Sequence, residues 1–393
     1  MACLRLNSTG WQDLPDHIIL QILSYLSRGD QYHAALTCAS WYEHFLSPYN
    51  WRKYTFRFST PEDKRHAACI NSHGDHLRSI RIQLDQYESY NREMACATIR
   101  ALARCPQRRL EKFIVQCSGR NPLFYAGLEF VGALQCLFGI PPNNVTLLTS
   151  LKCVDLSGLP FLFDDALFEA LATNHPKLEY FNIQNSPLVC KVTPVCILNL
   201  VKKCRNLTDL RLLNCSLSEK VLLAFIEEDR YPLQHLGITC RREEKYTKDL
   251  TSGVWKTLVE HLPNLRVTLR FDHTCPLHKI SQVLKPEIPC SVLRLETFTF
   301  IHDEIRLASQ HYAKTLNKLI VQTRPSKELN AALLILSDRC IYLKSLHIFC
   351  VLDKETVEVI LQQHPDMKTG GNFTLRHEVG PDGVWVTEEE LNL

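Results

Sequence analysis

A chain of 393 residues exceeds one ordinary compact domain and implies two or three units. A hydrophobic share of 45% with 22% charged residues excludes wholesale disorder. A net charge of +3 gives no bulk attraction to nucleic acid or to an anionic membrane, so neither is an expected partner. Seventeen cysteines are the unusual feature. Residues 1–9 hold no apolar run of signal-peptide length, and polar Gln12, Asp13 and Asp16 follow. This predicts a chain that is not secreted but stays in the cytoplasm or nucleus, with reduced thiols. No C-x-x-C pair occurs, which excludes zinc ribbons, RING-type fingers and thioredoxin motifs.

Residues before about 55 read as short helices. Leu14, Pro15 and Asp16 set up a helix start, with proline early in the turn. Ile18, Ile19, Ile22, Leu23 and Leu26 supply a broad apolar face, and Arg28-Gly29-Asp30 reads as a charged turn that breaks it. A second helix holds Ala34, Ala35, Leu36, Cys38 and Trp41, followed by Phe45, Leu46 and Trp51. This unit holds three of the five tryptophans. It is too small to hide so much apolar surface alone, so the surplus should meet a partner or the following domain.

Between Pro122 and Pro142, Leu128, Val131, Leu134, Leu137 and Phe138 step by three or four residues, which describes one helix face. Glu129, Gly127 and Gly132 argue against a membrane span there. From Leu77 onward a phrase recurs: leucine, two residues, apolar, one residue, apolar. Leu207-Thr-Asp-Leu210-Arg-Leu212, with Cys215 in the Asn/Cys slot, and Leu343-Lys-Ser-Leu346-His-Ile348 are the fullest copies. Others start at Leu77, Leu110, Leu151, Leu178, Leu233, Leu295 and Leu316. Near Leu265 the phrase becomes plain alternation through Val267, Leu269 and Phe271. The mean step of about 30 residues is slightly beyond the usual leucine-rich-repeat range.

Helix signals lie between the phrases. Ser218, Ser326 and Asp353 precede apolar residues at helical spacing, as N-caps do. A strand plus a helix per unit predicts an α/β leucine-rich-repeat solenoid, with parallel strands on the concave face and helices outside, preceded by a small all-α module. The expected boundaries are 9–53 for that module, 54–75 for a linker or first capping segment and 76–366 for about ten irregular repeats. Residues 367–393 are then a tail or capping hairpin, with Trp385 ahead of a solvated acidic run, Glu388–Glu390. Strand alternation places Tyr180, Asn182, Asp209, Arg211, His235, Lys318, His347 and Phe349 on the concave face. This polar, aromatic, nearly neutral set predicts recognition of a target protein.

Leu14-Pro15, then Ile22-Leu23-Ser24-Tyr25-Leu26, Asp30, Cys38-Ala39-Ser40-Trp41 and Trp51 resemble the F-box from end to end, over about 45 residues. The resemblance implies that Leu14, Pro15, Ile18, Ile22, Leu23, Leu26, Cys38 and Trp41 lie at or beneath an interface with the Skp-type adaptor of Skp–cullin–F-box ubiquitin ligases, with cullin and RING subunits beyond it. Gly29 and Gln31 depart from the family, which often has apolar residues there, and make the turn polar. An F-box followed by leucine-rich repeats resembles the substrate-receptor class of these ligases. The irregular first repeats and the Leu265–Phe271 strand are similar to the group holding F-box only protein 39 and the cryptochrome-binding leucine-rich F-box receptors. The class implies a non-catalytic subunit that presents a target for ubiquitination. The alternative is a scaffold that binds a partner without promoting it.

The chemistry-bearing residues support binding over catalysis. Asp272, His273, Cys275 and His278 are metal-type ligands without a matching second cluster, and read as loop residues after a strand. Cys153, Cys215, Cys240 and Cys350 sit in apolar phrases, and Cys105, Cys204 and Cys340 at helix ends, which predicts buried, inert thiols. No glycine-rich phosphate loop, G-x-S-x-G or H-E-x-x-H occurs, so no catalytic residue, cofactor or metal is expected.

Overall fold

Three helices open the chain: α1 (Asp16–Tyr25), α2 (Arg28–Ala35) and α3 (Ala39–Leu46). The computed structural model describes residues 10–11, 14–63, 67–119, 127–143, 145–187 and 189–376. Arg28-Gly29-Asp30 is the first turn of a helix rather than a break. Ser27 is extended and its Oγ accepts from the Asp30 amide at 3.2 Å, which satisfies one of the orphan donors of α2. Such a cap contributes about 1 kcal/mol and offsets the similar helix cost of Gly29. The chain then breaks at Leu36–Cys38, where Cys38 is extended ahead of α3, so the second expected helix is two.

Among the described residues twelve strands form one sheet, parallel throughout and arranged in chain order. They are β1 (Lys53–Phe58), β2 (Ser79–Leu84), β3 (Lys112–Cys117), β4 (Cys153–Gly158), β5 (Tyr180–Asn182), β6 (Asp209–Leu213), β7 (His235–Cys240), β8 (Arg266–Phe271), β9 (Cys290–Glu296), β10 (Lys318–Gln322), β11 (Ser345–Phe349) and β12 (Phe373–Arg376). The sheet begins at the last residue of the module, runs through the stretch read as a linker and ends inside the one read as a tail. In β1 the inward positions hold Tyr54, Phe56 and Phe58, so a phrase keyed on leucine passes over it.

The repeat read from Leu295 is displaced. Its strand is β9, and Cys290, Leu293 and Leu295 fill the inward slots with no exposure. Cysteine takes the place of the first leucine. Phe298, with φ of 56°, and exposed Phe300 lie beyond the strand.

The helices between strands stack one on the next as a second layer. Asp164, Thr193, Ser218, Thr251 and Ser326 cap them through their side chains, whereas Asp353 makes no such bond. Two caps also tie neighbouring repeats. The Asp165 carboxylate accepts from the Thr193 amide at 2.8 Å and its hydroxyl at 2.6 Å; Glu219 does the same for Thr251 at 3.0 and 2.6 Å. One continuous apolar core runs from Phe56 to Met367 between the layers. Each fully buried leucine in it contributes roughly 1.5–3 kcal/mol. The apolar stretch before Pro142 gives a helix at Leu128–Phe138 that sinks Phe130, Leu134, Leu137 and Phe138 into that core. Among the described residues no helix is long and apolar enough to cross a membrane.

Candidate protein-interaction surfaces

In the helical module, α1 turns Ile19 and Leu23 inward, and both α1 and α2 pack on α3. The outer surface is apolar. Trp11 is 75% exposed, Tyr25 79% and Leu36 62%, with Tyr32, Tyr42, Leu46 and Tyr49 also open. Trp41 is half-buried and its Nε1 donates to the Trp11 carbonyl at 3.1 Å. Gln31 is buried. Its Nε2 donates to the carbonyls of Leu23 at 2.7 Å and Leu26 at 3.1 Å, and its Oε1 accepts from Arg28 Nη1 at 2.6 Å. It thus satisfies the orphan carbonyls at the end of α1.

Trp51 joins the module to the sheet. Its indole stacks on His73 with centroids 3.8 Å apart, lies 5.9 Å from the Tyr54 ring and donates to the Phe45 carbonyl at 2.9 Å. The Arg28 guanidinium sits 4.5 Å from the indole centroid and donates to the carbonyls of Asn50 at 2.6 Å and Lys53 at 3.2 Å. Burial lowers the Arg28 pKa from its ordinary value, against the opposing pull of Tyr54. A side chain of α2 therefore holds both the connecting segment and the first residue of β1.

The concave face presents the alternate residues of the strands. In its middle, Tyr180 donates to Asp155 at 3.2 Å, and Asp209 accepts from Arg211 Nε at 3.0 Å and lies 3.2 Å from His235 Nδ1. His235 Nε2 lies 2.8 Å from the Thr268 hydroxyl, so the polar chain from Asp209 spans three strands, β6 to β8. Farther on, Arg270 and Arg294 share the carboxylate of Glu296. Burial alone would raise Glu296, but the charges of Arg270 and Arg294 outweigh it and hold the carboxyl below its ordinary value. The register also corrects the expected charge balance. Lys53, Arg57, Arg81 and Lys112 stand on the concave side at one end, Arg211 in the middle, and Arg266, Arg270, Arg294, Lys318 and Arg376 at the other. Only three carboxylates, Asp155, Asp209 and Glu296, share this face among the described strand residues. A chain of net charge +3 thus carries a strongly basic concave surface.

The F-box-like family matches residues 11–57. Human F-box/LRR-repeat protein 8 is 29% identical over 367 residues, spanning 93% of this chain and 95% of that protein. The chain thus carries an F-box-like module ahead of its repeat sheet and is similar to F-box/leucine-rich-repeat proteins. Cattle F-box/LRR-repeat protein 21 is 27% identical over 272 residues, spanning 66% of this chain and 59% of its own length. The crystal structure of the leucine-rich repeat-containing protein LegL7 from Legionella pneumophila is 12% identical with a TM-score of 0.39, over 81% of this chain and 98% of that one.

Within the F-box, Pro15 is exposed; Leu14, Ile18, Ile22, Leu26, Cys38 and Trp41 are half-buried, and Leu23 lies fully inside. Tyr25, Tyr32, Leu36 and Tyr42 are open apolar residues outside the interface set that the motif implied. Gln31 is internal, so its polarity serves the module and does not roughen its surface. On the concave side Tyr180, Asp209, Arg211 and His235 come together as one network. Asn182, Lys318, His347 and Phe349 are buried rather than presented to solvent. His347 sits between the Ser345 hydroxyl at 2.8 Å and the Thr374 hydroxyl at 3.0 Å.

The reading of Cys153 and Cys215 as buried thiols is corrected: both are half-buried. Cys215 lies within hydrogen-bonding reach of Cys190, whose Sγ is 3.4 Å from the Ser216 hydroxyl. The hydrogen bond from Cys215 lowers the Cys190 thiol pKa despite its burial. Cys240, Cys350, Cys105, Cys204 and Cys340 are buried, and burial pushes Cys105 and Cys340 up to about 11. Asp272, one of the metal-type residues, accepts instead from Arg241 Nε at 2.9 Å and from the Thr274 hydroxyl at 2.6 Å.

Proposed function

We propose that this protein is the target-binding subunit of a Skp–cullin–F-box ubiquitin ligase, cytoplasmic or nuclear, with no catalytic residue of its own. The F-box docks a Skp-type adaptor, and through it the cullin and RING subunits. The concave face of the solenoid holds a target protein, which raises the effective concentration of the target's lysines near the loaded conjugating enzyme. The observation that carries the reading is the apolar F-box surface, with Trp11, Tyr25 and Leu36 open to solvent on a unit fixed to the solenoid through Arg28 and Trp51. An apolar surface of that kind is an interface in waiting.

The test is co-purification. The double substitution Leu14→Ala, Pro15→Ala should abolish recovery of adaptor and cullin while the thermal unfolding of the solenoid is unchanged. Undiminished recovery by the double variant sinks the assignment. Reconstituted ubiquitination with captured targets then separates a ligase receptor from a scaffold: binding without added chains means a scaffold.

A further inference from the structure

A groove opens between the F-box and the first three strands of the sheet. The end of α1 forms one wall, with Leu20, Ser24 and Leu26, and the concave side of β1 to β3 forms the floor, with Thr55, Ser79 and Ile114. Its described lining holds no aspartate or glutamate, whereas Arg52, Lys53, Arg57 and Lys112 all stand in it and are exposed. Arg57 Nε donates to the neutral amide of Gln83 at 3.2 Å, and the Arg52 guanidinium lies 4.8 Å from the centroid of the Tyr49 ring. Among the described residues none of these four cations forms an ion pair. The nearest carboxylates are engaged elsewhere, Glu111 with Arg78 at 3.2 Å and Lys152 at 3.9 Å, Asp155 with the hydroxyls of Ser157 and Tyr180. Arg81, between them on β2, is already engaged by Gln116 at 3.3 Å.

Register sets the spacing of these cations. Lys53, Ser79 and Lys112 are successive partners across β1, β2 and β3, so the two lysines stand at one level, two strand spacings or roughly 10 Å apart. Arg57 lies farther along β1, roughly 13 Å from Lys53. An extended chain advances about 3.3–3.6 Å per residue, so carboxylates three residues apart match the two lysines. The groove is also apolar in part: Leu20, Leu26 and Ile114 are half-buried, and Tyr49 is open to solvent. A nucleic acid would leave those side chains unused, and four cations neutralise few phosphates. A peptide that carries both acidic and apolar side chains uses the whole lining.

We propose that this groove holds an extended acidic peptide segment, with its carboxylates on Lys53 and Lys112 and its apolar side chains against Leu26 and Ile114. That the segment belongs to a ubiquitination target rests on the ligase reading; the binding itself does not. Because the F-box and the sheet both line the groove, such a segment sits at the joint that Arg28 and Trp51 hold together, at the adaptor end of the solenoid.

The test uses the full chain. A fluorescent decapeptide with glutamate at every third position, and leucine and serine between, is titrated at low salt. The wild type should bind it at least tenfold more tightly than the same peptide with glutamine for glutamate, and roughly 0.5 M salt should remove the difference because exposed charges are then screened. Lys53→Glu with Lys112→Glu should lose that affinity at least tenfold. The same variant should bind the lysine version of the peptide more tightly than the wild type does, a gain that a misfolded chain cannot show. Lys112→Gln alone should weaken binding several-fold, whereas Arg266→Gln, exposed at the far end of the concave face, should not change it. Equal affinity for the glutamate and glutamine peptides overturns the proposal, as does equal weakening by Arg266→Gln and Lys112→Gln. Oligothymidylate that displaces the peptide at a lower concentration than unlabelled peptide assigns the groove to nucleic acid and overturns it as well. Adaptor recovery should be unchanged in every variant, so this inference fails separately from the ligase reading.

Discussion

Arg270 and Arg294 stand in register on neighbouring parallel strands, and the Glu296 carboxylate takes one guanidinium on each oxygen, at 2.9 and 2.7 Å. The carboxylate lies between two like charges, one buried and one half-buried, and offsets their repulsion. Glu296→Gln removes the carboxylate that both guanidiniums share. Breaking a buried ion cluster in this way typically costs about 3–5 kcal/mol. Urea unfolding at pH 7 should show a loss of that size. The Glu296 carboxyl lies below its ordinary value, so its contribution is complete above the unfolded-state pKa and is lost as pH falls through the folded one. The gap between wild type and variant should therefore narrow on acidification below about pH 4.3. A gap that stays constant with pH argues against the pairing.

The histidines give a second pH window. His175 and His347 are each brought down to about 4, His175 by burial and then the charge of Arg108, His347 by burial and then the charges of Lys318 and Arg294. Unfolded histidine binds its proton near 6.5. Between about 6.5 and 4 the unfolded chain therefore holds more protons, and stability falls as pH falls. Each group adds up to about 1.4 kcal/mol per pH unit to the slope. Replacing His347 with Gln keeps a partner for Ser345 or Thr374 and should flatten the profile by that amount. An unchanged slope in the variant removes His347 from the account.

The solenoid was legible in the sequence because its signal is redundant: a leucine phrase repeated along the chain survives several faults. The faults fall where one side chain does another's work. Cys290 fills a leucine slot, and a search keyed on leucine slipped to Leu295. Phe56 and Phe58 carry β1 without any leucine. Arg28-Gly29-Asp30 has the composition of a turn, and only the Ser27 cap makes it helical. The F-box was legible as an ordered motif, but which of its residues face outward depends on packing among three short helices. Concave charge was misjudged for a different reason. The residues chosen from the clearest phrases were nearly balanced, whereas the excess lies on β1 to β3 and β8 to β9, from which no concave residue was chosen.

Thiol reactivity follows from the Cys190–Cys215 contact. The Cys215 hydrogen bond favours the Cys190 thiolate, and a thiolate is the reactive form. Most other thiols are pushed the opposite way, Cys96 to about 12 by burial. Iodoacetamide at pH 7 should alkylate Cys190 ahead of Cys136, the exposed thiol, and Cys215→Ala should slow it several-fold. Peptide mapping over a time course decides the order. First labelling at Cys136 means that exposure outweighs the hydrogen bond.

The last prediction concerns the joint between the two units. Trp51 is buried against His73 and Phe45, and Arg28 lies over its ring while bonding the backbone at Asn50 and Lys53. This contact fixes where the solenoid points once the F-box is held. Trp51→Ala removes a large buried ring, at a cost of about 3–5 kcal/mol, and acts on the joint and on local folding together. Arg28→Gln is the finer test, because it keeps the ring stack and removes the backbone bonds and the cation over the indole. In that variant adaptor recovery should persist, since Leu14, Pro15 and Tyr25 are untouched. Transfer of ubiquitin to a captured target should drop several-fold, because the target's lysines are no longer held at one distance from the conjugating enzyme. Loss of adaptor binding in step with ubiquitin transfer would place Arg28 within the docking surface instead of at the joint.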